Sequence, residues 1–249
     1  MGGDPTVFSI GASRARGRCL AFAALAILVI GLAAPAHADS DPNICLGVDF
    51  DAKHPLVVSK ISASPRVNFV MGSEDNAACP AETAACRKKV YLIPGDLVLT
   101  GRVQGAFTCV SYQSPLARRQ DWTNGWLPTT AMAAVAPMSS PKVSDWIGSW
   151  VHAGGEIAIS IRHRGKLKIE GEQIYPAAQS VHNGVLGAEV KPSEGMIAFA
   201  EDGSIPFEEA GEGQCQVRMQ RIGPWLLVED NQQCGGIMVT FTGLYRRGK

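Results

Sequence analysis

Between residues 155 and 171 the chain alternates in a way that leaves few folds open. Ile157, Ile159 and Ile161 alternate with Ala158, Ser160 and Arg162. Beyond a short polar turn containing Gly165, Leu167 and Ile169 alternate with Lys166, Lys168 and Glu170. Successive side chains of a strand point to opposite faces, so period-two alternation on both sides of a turn specifies a β-hairpin with one buried face. This hairpin opens a β-rich unit that runs to the C-terminus.

The following segments keep that character. Residues 185–190 and 196–200 are brief apolar runs separated by Lys191-Pro-Ser-Glu-Gly195. Residues 214–221 alternate, placing Cys215, Val217 and Met219 inward and Gln216, Arg218 and Gln220 outward. Ile222-Gly-Pro-Trp225 turns the chain, residues 226–228 return, and residues 237–246 form a last strand. With residues 177–181 included the count is about eight, a number that closes into an antiparallel up-and-down barrel without exposed edges.

The N-terminus reads as an address. Arg14, Arg16 and Arg18 precede an apolar run from Leu20 to Ala34, and Pro35-Ala36-His37-Ala38 offers small residues for cleavage. That is the pattern of a secretory signal peptide over residues 1–38, and its apolar run is short for a membrane span. Cleavage after Ala38 leaves 20 basic and 22 acidic side chains. A nearly neutral chain without a basic block gives no footing for nucleic acid or for electrostatic attachment to a membrane. The expectation is a periplasmic or secreted monomer with no integral membrane span.

Loss of Cys19 with the signal makes the cysteine count even: Cys45, Cys79, Cys86, Cys109, Cys215 and Cys234. Even cysteines in an exported chain read as disulfides. Cys215 and Cys234 are the two in the C-terminal half and are expected to pair. In the N-terminal half the favoured pairing is Cys79–Cys86 around a small loop, with Cys45–Cys109 by remainder; position does not decide it. A zinc site is the rival reading, but no C-x-x-C pair or Cys/His cluster supports it.

The N-terminal half carries short segments broken by Pro and Gly: residues 56–61, 67–71, 90–93, 97–101, 105–110 and 125–128. Pro94-Gly95-Asp96, Phe107-x-x-Val110 and Gly125-Trp126-Leu127 stand in an order that resembles the bacterial SH3-like (SH3b) domain. The resemblance covers about residues 56–132. It implies a small barrel, extending with its cysteine loop over residues 39–132, that docks on cell wall or an envelope protein. Residues 133–144, with small residues, two prolines and three serines, read as a linker. The unit over residues 145–249 resembles the calycins, the lipocalin and avidin-like barrels, through Gly148-Ser-Trp150 and Tyr245-Arg246. That resemblance implies that the Arg246 guanidinium packs across Trp150 and ties the last strand to the first.

The fold class expected is therefore all-β, an SH3-like small barrel followed by a small antiparallel up-and-down barrel. Catalytic signatures are missing: no G-x-S-x-G, HExxH, Walker A or Gly-rich dinucleotide turn appears. The even cysteine count leaves no free thiol. Asp49, Asp51 and His54 read as a solvated loop rather than a metal site, and the basic turn at Arg162, Arg164 and Lys166 as a solvated hairpin tip. No cofactor, no metal and no enzymatic activity are expected. Tyr112, Trp122 and Trp126 are the candidate ligand contacts, because aromatics at a loop edge stack on sugars or peptides. The expected function is binding in the bacterial envelope, with a lysozyme-inhibitor-like protein inhibitor or an apolar-ligand carrier as the alternatives. A carrier would need a cavity lined by Ile157, Ile159, Val217 and Phe241.

Overall fold

A computed structural model of the chain describes residues 41–249. The expected signal sequence and its cleavage after Ala38 lie outside those residues. The described chain is all-β and builds two antiparallel sheets.

The first sheet contains seven strands. They are β1 (Val57–Ile61), β2 (Val67–Val70), β3 (Arg87–Leu92), β4 (Leu97–Gln104), β5 (Phe107–Tyr112), β6 (Thr123–Pro128) and β7 (Met132–Val135). Their spatial order is β3-β2-β6-β5-β4-β1-β7. β7 uses residues expected to lie in the linker: Val58, Ser59, Lys60 and Ile61 of β1 pair with Val135, Ala134, Ala133 and Met132. Just beyond it, Met138 N–H donates to Arg221 O at 2.8 Å, which lays this stretch against the second sheet. One core of the first sheet gathers Ile61, Phe69, Leu92, Val98, Val110 and Leu127. Another surrounds Trp126 with Phe107, Val70 and four half-cystines.

All three expected disulfides form: Cys45–Cys109, Cys79–Cys86 and Cys215–Cys234. They span sequence separations of 64, 7 and 19 residues respectively. On the chain-entropy model the longest closure stabilises by about 4 kcal/mol and the shortest by about 2 kcal/mol.

After the one-turn helix α1 (Val143–Trp146), eight strands build the second sheet. They are β8 (Gly148–His152), β9 (Gly155–Ile161), β10 (Leu167–Pro176), β11 (Val181–Val190), β12 (Met196–Ala200), β13 (Gln216–Ile222), β14 (Trp225–Asp230) and β15 (Gly243–Arg247). The spatial order β11-β10-β9-β8-β15-β14-β13-β12 is an up-and-down meander in which the last strand returns to the first. The sheet is nearly closed into a barrel. Its seam lies between β11 and β12, where the segment after β14 covers the gap through the Gly184–Gly235 bridge. A Cβ on Gly235 would stand 2.7 Å from the Gly184 Cα, so this close backbone approach requires glycine.

The alternation places Ile157, Ile159, Leu167 and Ile169 inside, with Val217, Met219, Phe199, Phe241 and Trp150 around them. Ile161 departs from it: it is 60% exposed, because β9 has run past the edge of the core. Residues 177–180 are a turn closed by Ala177 N–H donating to Ser180 O, not part of a strand. The last strand begins at Gly243 rather than near Ile237. The chain before it is held instead by the buried carboxyl of Asp230. Its Oδ1 accepts from the Phe241 and Thr242 N–H groups at 2.9 Å and from the Thr242 hydroxyl at 2.9 Å.

Arg218 also departs from the alternation. It faces out of the barrel as expected, yet is only 3% exposed. Residues 51–56 lie over it. Its Nη2 donates to the carbonyls of Asp51 and His54, and its Nη1 to that of Ala52. Nη2 also sits 2.7 Å from Oε2 of the fully buried Glu229, which accepts the Leu56 N–H in turn. The outer face of β13 and β14 is therefore a buried joint with the N-terminal residues. Val58, Leu99, Ile222 and Leu227 extend that joint as a shared apolar cluster between the two sheets.

Candidate functional site

Beside this shared cluster the surface opens into a cleft. The first sheet contributes the β3–β4 turn with Gly95 and Asp96, Leu97 and Leu99 of β4, Lys60 of β1, and the loop that starts at Gln113. The second sheet contributes His152 at the end of β8, Trp225 at the start of β14, and Leu244 of β15. Together they enclose a pocket of about 240 Å³. A second pocket of about 290 Å³ lies between Gly47, Val48, Gln120 and Asn124 on one side and Tyr175, Asp230 and Thr242 on the other. The two pockets share Ser111 and Trp122. The half-exposed Trp122 is thus a wall common to both.

Local structure fixes this indole. Trp122 immediately precedes β6, at the end of the loop over residues 113–122. That loop is stapled across the joint by Gln120, whose Nε2 donates to Thr240 O at 2.6 Å. Trp122 also packs at 6.2 Å between ring centroids on His152, which in turn lies 4.8 Å from the buried Tyr245. His152 occupies the space beside Gly243, where a Cβ would come within 2.5 Å of the imidazole. Burial lowers the His152 pKa to about 4, so the ring is neutral at pH 7, and its Nδ1 is buried without a partner.

Three neighbouring side-chain amides share one arrangement. Gln113 Nε2 donates to Arg119 O, Gln120 Nε2 to Thr240 O, and Asn124 Nδ2 to Leu46 O. The carbonyl oxygens of all three are buried and unpartnered. Exchanging N and O in any of them would set one acceptor against another, so the backbone anchors fix their orientation. Such orphan acceptors are uncommon in folded proteins and cost free energy until a donor reaches them.

The sequence-predicted contacts separate. Trp122 lines both pockets. Tyr112 is half-buried and packs on the core of the first sheet, where burial raises its phenol pKa. Trp126 is fully buried, with Nε1 donating to Asn43 O at 2.9 Å and the Arg102 guanidinium 5.8 Å from its ring. It has no surface to offer a ligand, so its expected role is corrected to a structural one. His152, Trp225, Gln113 and Gln120 were not singled out as contacts; they meet through long-range packing that no local spacing announces.

At the far end of β8 the guanidinium over Trp150 is not that of Arg246. Arg247 lies 4.6 Å from the ring centroid, and Arg221 of β13 lies 4.2 Å from it. Arg246 pairs with Val151 and is exposed, because alternation along β15 turns its neighbour toward the indole. Arg247 also donates to the carbonyls of Ile147 and, at 3.0 Å, Asp145. Gly148 makes room: at φ +134° it adopts a backbone that L side chains avoid, and a Cβ there would lie 2.6 Å from Arg247 Nη1.

The cavity that a carrier would need is occupied by side chains. Ile157, Ile159, Val217 and Phe241 are 0–2% exposed and belong to a single packed core. Asp51 and His54 form an exposed pair at 2.7 Å on the surface loop. Among the described residues no three His, Cys, Asp or Glu side chains gather as a metal site, and no helix is long and apolar enough to cross a membrane. Compared with known protein families, curated proteins and solved structures, the chain matches none.

Proposed function

We propose that this protein is an exported, non-enzymatic binding protein of the bacterial envelope that takes a cell-wall component at the Trp122 cleft. One observation carries the reading: a half-exposed indole, held in place from both sheets, stands as the common wall of two adjoining pockets. Aromatic faces flanked by a few fixed polar groups are the usual make-up of a binding pocket. The three disulfides agree with an oxidising compartment. The SH3-like reading of the first sheet agrees as well, since Gly95 and Asp96 of its Pro-Gly-Asp turn line the cleft.

The packed interior of the second sheet gives no support to a carrier. It favours the protein-inhibitor alternative as the second reading, because surface loops then remain as the contacts. Pulldown with purified sacculi, without any partner protein, separates the two. Retention of the wild type and its loss in Trp122→Ala is expected. No retention of the wild type would contradict the cell-wall reading, and undiminished retention of the variant would contradict the site.

A further inference from the structure

We infer that the second sheet docks on the surface of an anionic phospholipid bilayer through the end that lies at the far end of β8 from the cleft. The inference does not depend on what the cleft binds. β8 joins the two ends. His152, at its close, lines the cleft, whereas Gly148, at its start, stands beside Ile159 near the tip of the β9–β10 hairpin.

That far end gathers cations. The hairpin tip brings Arg162, Arg164 and Lys166, the turn after β11 brings Lys191, Lys142 immediately precedes α1, and β15 ends on Arg247. Register and hydrogen bonds hold these segments together. Leu167 pairs with both Ile161 and Val190, α1 packs against β9, and Arg247 donates to the Asp145 carbonyl. All six basic side chains are exposed. Arg162 meets Glu189 at 3.3 Å, and the other five have no ion-pair partner among the described residues. The carboxylates close by are Glu189, Glu194 and Asp145, whose Oδ2 accepts the Lys142 N–H.

The chain beyond Ala38 carries 20 basic and 22 acidic side chains. That near-neutral total conceals the basic end, because its cations come from four separated segments that only the fold assembles. The flank is of the opposite sign: Glu156, Glu170, Glu172 and Asp202 line the outer face of β9–β11. A negative surface is therefore met end-on and not along this flank.

Aliphatic side chains decide between a soluble polyanion and a lipid surface. Ile161, 60% exposed, stands at the root of the cationic tip, and Val143, on the helix packed against β9, is 38% exposed. A soluble polyanion has no use for exposed aliphatic groups among cations. A bilayer interface takes both, the aliphatic groups below the headgroups and the long basic side chains at the phosphates.

Co-sedimentation of the mature protein with phosphatidylcholine vesicles, with and without about a third phosphatidylglycerol, tests this. Binding is expected to the anionic vesicles and not to the neutral ones, and it should weaken at least about tenfold between low and high salt. Arg164→Gln/Lys166→Gln should weaken it about tenfold and Ile161→Ser about fivefold, with melting temperatures unchanged. Arg87→Gln/Lys89→Gln removes two exposed cations from the edge strand β3 and should stay within about twofold of wild type. No binding to anionic vesicles, or equal losses in the two charge variants, would overturn the proposal. So would undiminished binding by Ile161→Ser, which would leave a soluble polyanion such as polyphosphate as the partner.

Discussion

Arg218 and Glu229 face each other across β13 and β14 at 2.7 Å, both almost wholly buried beneath residues from the beginning of the described chain. An ion pair placed there costs desolvation and is sustained by further hydrogen bonds. Those bonds run to the carbonyls of Asp51, Ala52 and His54 and from the Leu56 N–H. The pair therefore fastens the first sheet to the second and holds the two walls of the cleft in register.

Arg218→Met should leave the Glu229 carboxylate buried and unpaired, at a cost of about 3–5 kcal/mol. Urea melts would register the loss, and hydrogen exchange at the Leu56 amide should accelerate with it. A change under about 1 kcal/mol would show that the joint does not depend on this pair.

The Trp150 end of the barrel yields a comparison between two adjacent arginines. Arg247→Ala should cost about 1 kcal/mol and couple with Trp150→Ala in a double-mutant cycle. Arg246→Ala should fall within about 0.5 kcal/mol of wild type. Trp150→Ala itself should cost about 3–5 kcal/mol, since it opens a cavity in a packed core. Coupling of Trp150 to position 246 instead of 247 would contradict the observed register.

His152 makes stability depend on pH. Its folded pKa, about 4, lies below the ordinary imidazole value of 6.5, so between these values the unfolded chain binds a proton that the folded chain does not. The contribution is complete above pH 6.5 and is lost as pH falls toward 4, by at most about 3 kcal/mol. Burial raises the Asp230 pKa and acts in the opposite sense, its contribution fading as pH rises. The clean quantity is therefore wild type minus His152→Phe, measured by chemical denaturation from pH 7.5 down to about 4. A difference that does not change with pH would contradict a neutral, buried imidazole.

Much of the fold was legible because alternation is local. Ile157, Ile159, Leu167 and Ile169 declared their inner face, and Cys215 pairs with Cys234 as their position in the C-terminal half suggested, while the N-terminal pairing, which position left open, takes the favoured form. Arg218 shows where alternation stops: it reports which face a side chain takes, not whether another segment will cover that face. Arg246 and Arg247 show the same limit in another form, since a motif located the interaction with Trp150 but only strand register selects the arginine. The site was legible through Trp122 alone. Its other walls come from β1, β4, β8 and β14, far apart in sequence, and the unpartnered carbonyls of Gln113 and Gln120 exist only once Arg119 and Thr240 have taken their amino groups.

The five tryptophans allow binding at the Trp122 cleft to be read residue by residue. Trp122 and Trp225 line the cleft, whereas Trp126, Trp146 and Trp150 are fully buried elsewhere. Indole N–H resonances of the mature protein, followed while soluble fragments of enzymatically digested sacculi are added, would distinguish them. Binding in the cleft should shift the Trp122 resonance saturably, with Trp225 following and the three buried indoles unmoved. Shifts confined to Trp126, Trp146 or Trp150, with Trp122 unchanged at saturation, would contradict it.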